Sequence, residues 1–340
     1  MSYITTTDKL KETIDTYGVA IIENVLDLDE CAEYNEKTFE MLNEITCKRF
    51  VYDDINTWNN FYDLFPKHNM LLQNYVGHAQ YIWNIRQNPK IVDIFGEFWN
   101  VNNDDLLVSF DGISFNLPPE KTGKGWRERA KKWLHCDQSF QNSEFETLQS
   151  WITFNNVRKG DATLLFLEGS NKYHNEFKEY LTTLNNCNEF KEYLTPLNNC
   201  SEFKEHAKNS IDKDWYKLDD EELQFYKDKG CEEKYIECKA GSLVLWDSRT
   251  IHCGIEPTKS RSVENLRNIV YLCYAPRYLC AEKELNRRRK AFNEGRMMSH
   301  CPYKASLFPK TPRTYGKETL PIKNLNKPTL TSLGEKLVGF

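Results

Sequence analysis

The sequence predicts a mainly β core with α-helices packed on it and a helical insertion, and three observations carry that reading. Four stretches in the middle and second half, 147–157, 162–167, 239–247 and 266–274, carry apolar, β-branched or aromatic runs of strand length beside turn residues. The first hundred residues show helix-start signals and aromatic-rich stretches instead. Between them, His135 and Asp137 flank Cys136, and residues i and i+2 of a strand share one face.

In chain order, residues 8–16 read as a short helix and Val19 to Val25 as a strand. Asp27-Leu-Asp-Glu30 supplies capping chemistry for a helix running to about Lys48. Trp58 to Trp99 is expected to be mostly helical and to cover the outer face of a sheet, Leu106 to Asn116 to give one or two strands, and 118–125 to form a loop. Arg158-Lys-Gly-Asp161 is a turn between two strands. The segment 175–210 carries a 13-residue repeat, Glu176 to Asn188, then Glu189 to Ser201, then in part Glu202 to His206. Thirteen residues advance an ideal helix by about 220° past whole turns, and Pro196 interrupts it. Short helical turns are therefore expected, forming a surface excursion or a lid. Lys239 to Asp247 gives another turn and strand, and Leu266 to Tyr274 a strand opening at Arg267. Residues 281–295 look helical; beyond them Pro302, Pro309, Pro312, Pro321 and Pro328 point to an extended segment wrapping the surface.

His252 follows Asp137 by 115 residues. Two imidazoles and one carboxylate with open positions are the facial ligand set of non-haem Fe(II) oxygenases. Cys136 would point away by strand parity. His135-Cys-Asp137-Gln138, the Trp151 strand, Gly160-Asp-Ala-Thr-Leu-Leu-Phe-Leu-Glu-Gly-Ser170, Trp246-Asp-Ser-Arg-Thr-Ile-His252 and Arg267 occur in an order and spacing that resembles the phytanoyl-CoA dioxygenase-like family of Fe(II)/2-oxoglutarate-dependent oxygenases. Tyr17 to Leu26 resembles that family's opening strand, so the resemblance covers roughly 10–280.

The resemblance implies a double-stranded β-helix, or jelly roll, with His135, Asp137 and His252 as metal ligands at one open end. It implies Fe(II), 2-oxoglutarate as cosubstrate and O2, and hydroxylation of a small organic substrate with release of succinate and CO2. Arg267 would pair with the distal carboxylate of 2-oxoglutarate, because a guanidinium fork matches a carboxylate. Arg261, in a polar loop, is the competitor. Trp151 would line the cosubstrate pocket or simply pack, and Arg249 would orient a carboxylate near His252. The 52–99 region and the 138–147 loop are candidates to line the substrate pocket.

Forty per cent hydrophobic and 28% charged residues describe a globular chain. A net charge of −5 argues against a phosphate-backbone partner, and the short basic run Arg287-Arg-Arg-Lys290 reads as the solvated face of a helix. No apolar stretch reaches 18 residues and no basic-then-apolar leader is present, so a cytoplasmic protein with no membrane segment is expected. The 11 cysteines, without Cys-x-x-Cys, read as reduced thiols. One oxygenase domain over 1–280, with its core at about 105–277, and an extension over 281–340 are expected. Two other readings remain open here: a silent interaction protein on this fold, and a metal-binding module with another chemistry.

Overall fold

The computed structural model describes residues 3–127, 132–183 and 212–340. Among these, twelve strands form two antiparallel sheets. They are β1 (Val19–Ile22), β2 (Met70–Leu71), β3 (Leu106–Val108), β4 (Ile113–Asn116), β5 (His135–Cys136), β6 (Leu148–Thr153), β7 (Thr163–Leu167), β8 (Tyr216–Lys217), β9 (Glu233–Tyr235), β10 (Leu243–Asp247), β11 (His252–Ile255) and β12 (Arg267–Pro276). The larger sheet runs β1-β10-β6-β12-β4-β2, with β3 also on β12; the smaller runs β8-β5-β11-β7-β9. These are the two antiparallel sheets of the jelly-roll class.

The strands read as unbroken apolar runs because both of their faces are covered. In the larger sheet, Val19, Ile21, Trp151, Val244, Trp246 and Ile269 point inward and meet Leu164 and Phe166 of the smaller sheet. Their neighbours Ala20, Ile22, Ile152, Leu243, Leu245 and Val270 point outward, under the helices Leu28–Ile45, Gln80–Arg86 and Pro89–Trp99. In the smaller sheet, Cys136, Leu165, Leu167 and Cys253 face outward with Phe177, Leu181 and Tyr226, from the helical residues 174–183 and the helix Asp220–Asp228. The same alternation turns His135 and His252 inward.

The long N-terminal helix starts at a complete capping box: Asp27 Oδ1 accepts from the Glu30 backbone at 2.8 Å, and Glu30 Oε2 accepts from the Asp27 backbone at 2.9 Å. The expected 118–125 loop contains one helical turn, Pro119–Thr122, which Pro at the first position favours. Of the 13-residue repeats, only the start of the first falls in the helical residues 174–183; the remainder lies outside the described residues.

The C-terminal region departs most from expectation. Its helix Glu282–Asn293 is present, but the tail does more than wrap the surface: it ends in a second helix, Ser332–Val338, whose Leu337 and Val338 are fully buried. The basic run is not a solvated face throughout. Arg288 is fully buried, on the inward stripe of Leu285 and Phe292. It donates to the carbonyls of Val108, Pro302, Leu337 and Val338 at 2.6–3.3 Å. The carbonyl oxygens at the end of the last helix are the negative pole of its dipole, so a cation with no carboxylate partner among the described residues is stabilised there.

His78 adds a pH dependence to this core. Its Nδ1 accepts from Trp83 Nε1 at 3.3 Å and its Nε2 lies 2.9 Å from the Arg296 carbonyl, a set that suits the neutral ring. Burial, reinforced by the Arg86 charge and opposed by the bond to the Arg296 carbonyl, pulls its pKa down to about 3. The unfolded chain therefore takes up a proton near pH 6.5 that the folded chain refuses, and stability falls as pH drops. His78 is expected to lower the unfolding free energy by about 2 kcal/mol between pH 7 and 5. Urea unfolding at the two pH values checks this, and His78→Gln should flatten the slope.

Candidate metal centre

His135 and His252 sit directly opposite each other across the β5–β11 pair, which brings their rings to 4.4 Å between centroids. Each ring is fixed from behind by the carbonyl two residues earlier in the chain. His135 Nδ1 lies 3.0 Å from the Trp133 carbonyl, and His252 Nδ1 lies 2.9 Å from the Thr250 carbonyl. A carbonyl only accepts, so the proton belongs on Nδ1 and the Nε2 lone pair is free to bind a metal. Thr250 is itself anchored, its hydroxyl donating to the Gly18 carbonyl at 2.9 Å. Gly18 ends the first helix at φ 78°, and a Cβ there would lie 2.5 Å from Thr250 Oγ1, so glycine is needed for both conformation and space.

Asp137 follows β5 and closes the set. Its Oδ1 is 3.4 Å from His135 Nε2 and its Oδ2 is 3.5 Å from His252 Nε2. The three ligating atoms lie within 4.8 Å of one another. Burial by itself would push the Asp137 carboxyl up; the charges of His135 and His300 and the contacts from both ligand histidines override it and hold the group well below the usual carboxylate range. Burial lowers His135 as well, against the Asp137 charge. Two imidazoles and one carboxylate converging on a point suit a divalent cation, which binds them in their deprotonated forms. Trp133 stacks on His135 at 4.6 Å, and Trp215, 44% exposed, stands 5.8 Å away on the solvent side.

A second feature opens on the same interior. Arg267 is buried on β12, its Nη1 donating to Ser114 Oγ at 2.6 Å and its guanidinium carbon 5.4 Å from the centre of the Trp151 ring. Burial lowers its pKa, with Tyr271 opposing. Among the described residues no carboxylate forms an ion pair with it, and its Nε, Trp151 Nε1 and Gln149 Oε1 have no hydrogen-bond partner. A buried guanidinium without an anion is costly, so this chemistry fits a carboxylate-bearing ligand.

The structure thus brings His135, Asp137 and His252 together, and Arg267 and Trp151 together. Arg249 goes elsewhere. It grips Asp247, with Nη2–Oδ2 at 2.7 Å and Nε–Oδ1 at 3.0 Å, and lies over Phe145; the carboxylate it orients belongs to the protein. Arg261 is not in a free polar loop: its side chain is 2% exposed and bonded to Glu120 and Asp161, which satisfies its charge structurally. Gln138 is buried and donates to the carbonyls of Asn142 and Glu144, so it ties down the 138–147 loop. Sequence reasoning missed Gln149, whose Nε2 donates to Asp137 Oδ2 at 2.8 Å; its parity with Trp151 on β6 was the available signal. It also missed His300, whose Nδ1 is 4.0 Å from Asp137 Oδ2, and the buried Asp111. No pattern marks either.

A family model for phytanoyl-CoA dioxygenase matches residues 14–258. The matched span contains all three candidate ligand residues and stops before Arg267 and His300. Ava biosynthesis cluster protein O of Aspergillus versicolor is 26% identical over 289 residues, 84% of this chain and 83% of that protein. A hypothetical protein of Escherichia coli superposes with a TM-score of 0.54 at 14% identity, over 99% of this chain and 85% of its own. A protein of Salmonella typhimurium LT2 described as a putative oxidoreductase gives 0.53 at 14% identity, over 99% and 86%. At that identity the two structures bear on the fold alone. No helix among the described residues is long and apolar enough to cross a membrane.

Proposed function

The chain belongs to the phytanoyl-CoA dioxygenase family, and on that footing we propose that it hydroxylates a small organic molecule, with release of succinate and CO2. It is an oxygenase of the non-haem kind; its cofactors are Fe(II), 2-oxoglutarate and O2. The observation that carries the proposal is the pairing of an open three-ligand set with a buried guanidinium that lacks a carboxylate partner among the described residues. A metal module with unrelated chemistry gives no account of Arg267, and a silent scaffold gains nothing from burying its charge. The Aspergillus versicolor relative is by name a biosynthesis cluster protein, which supports a small-molecule substrate.

In this reading His135, Asp137 and His252 hold the metal by one face. Arg267, with Ser114 beside it, takes the far carboxylate of 2-oxoglutarate, and Trp151 walls that pocket and keeps water from it. Trp133 and the exposed Trp215 flank the approach to His135, where a substrate would lie. Iron with 2-oxoglutarate and O2 supplies the oxidising power for a C–H bond. The protein supplies geometry, charge pairing and a dry surround.

Anaerobic titration of Fe(II) and then 2-oxoglutarate into the whole protein tests the proposal, following the visible charge-transfer absorption of the chelate. Admitting O2 should then yield succinate. Metal binding without any response to 2-oxoglutarate would sink the proposal.

A further inference from the structure

We propose that His300 is a positioning residue of the metal centre: with Gln149, it faces the outer oxygen of Asp137 so that the other oxygen stays directed at the metal. The inference rests on the metal-site reading above and concerns a residue beyond the span that the family model matches.

Three observations carry it. First, two outer groups converge on the same oxygen of Asp137. Gln149 Nε2 donates to Oδ2 at 2.8 Å, and His300 Nδ1 faces Oδ2 at 4.0 Å. The second separation exceeds a direct hydrogen bond and is a polar contact across van der Waals distance. His300 is outside the set of atoms within 4.8 Å of one another, so it acts on a ligand and is not one.

Second, His300 faces the Asp137 carboxylate and acts electrostatically on the buried Asp111. Burial pushes the Asp111 carboxyl up to about 6, and His300 is the foremost charge opposing that rise, ahead of Arg86.

Third, the segment that delivers His300 is built. It folds back on itself, Ser299 bonding the Ser306 carbonyl at 2.9 Å and Phe308 the Met297 carbonyl at 3.0 Å. The Met298 backbone donates to the Phe110 carbonyl at 3.2 Å, next to Asp111. Arg288 holds the Pro302 carbonyl at 2.6 Å, and Lys304 reaches Glu146 at 2.9 Å. Both sides of His300 are thereby pinned to the body of the protein.

The test compares wild type, His300→Ala and His300→Gln as full-length proteins, using Co(II) as the spectroscopic probe and Fe(II) in anaerobic competition. His300→Ala should lose about tenfold in metal affinity and alter the Co(II) ligand-field spectrum, with the thermal midpoint of the metal-free protein unchanged. His300→Gln, which keeps a donor, should recover most of both. Wild-type affinity and spectrum in His300→Ala would overturn the proposal. So would equal losses in both variants accompanied by a lower metal-free midpoint, since that pattern belongs to packing. Wild type that binds no metal would instead bring down the metal-site reading itself, and this inference with it.

Discussion

Alanine in place of Asp137 is expected to abolish 2-oxoglutarate-dependent turnover, with a loss of metal affinity of roughly a thousandfold. Asp137 is the sole anion of the ligand set, and its side chain is only 14% exposed. Its removal leaves two imidazoles to hold a divalent cation in a desolvated site, and losing one partner of a buried charge pair costs about 3–5 kcal/mol, which is two to more than three orders of magnitude. Gln149 Nε2 would also lose its acceptor. The metal-free protein should lose less than that, because it has no metal–carboxylate bond to lose. Isothermal titration with Fe(II) under nitrogen checks the first half, and thermal unfolding of the metal-free protein the second. Retention of tight Fe(II) binding would remove Asp137 from the ligand set.

Arg267→Leu should separate the cosubstrate from the metal. We expect 2-oxoglutarate affinity to fall by about a hundredfold or more, since truncating one partner of a buried charge pair costs about 2–5 kcal/mol, while Fe(II) affinity is kept. Stability should move the other way. The guanidinium is buried, its Nε is unpartnered and no carboxylate pairs with it among the described residues. Replacing such a charge by an apolar side chain is commonly neutral or stabilising by about 1–4 kcal/mol. A metal-free variant as stable as wild type or more so, binding metal but not 2-oxoglutarate, is the expected pattern. Unchanged 2-oxoglutarate affinity would take Arg267 out of the cosubstrate pocket.

Much of the frame is legible in the sequence because its signals are local. Asp27 with Glu30 marks the long helix, and unbroken apolar runs mark strands covered on both faces. Strand parity anticipates that His135 and Asp137 turn toward His252 while Cys136 joins the outer cluster. What escaped depends on contacts between distant segments. Which arginine of 287–289 turns inward follows from the phase set by Leu285 and Phe292, and the phase is visible only once the partners at 337 and 338 are in place. Arg261 looked free because Glu120 and Asp161, its partners, lie at least a hundred residues away in the chain. His300 sits in a stretch with no periodicity, and its approach to Asp137 is fixed by the Met298 backbone bond to Phe110 and by the Arg288 side chain on the Pro302 carbonyl.

The pairing of Val19 with Trp246 also sets a timetable. At about 5–20 residues per second of synthesis, the first strand waits roughly 10–50 s for its partner. Val-Ala-Ile-Ile, buried on both faces in the finished protein, is meanwhile an open apolar edge of the kind that recruits other chains. Gly18, Thr250 and His252 lie along the same seam, so the ligand set becomes rigid only when that seam closes. Slower synthesis prolongs the exposed interval.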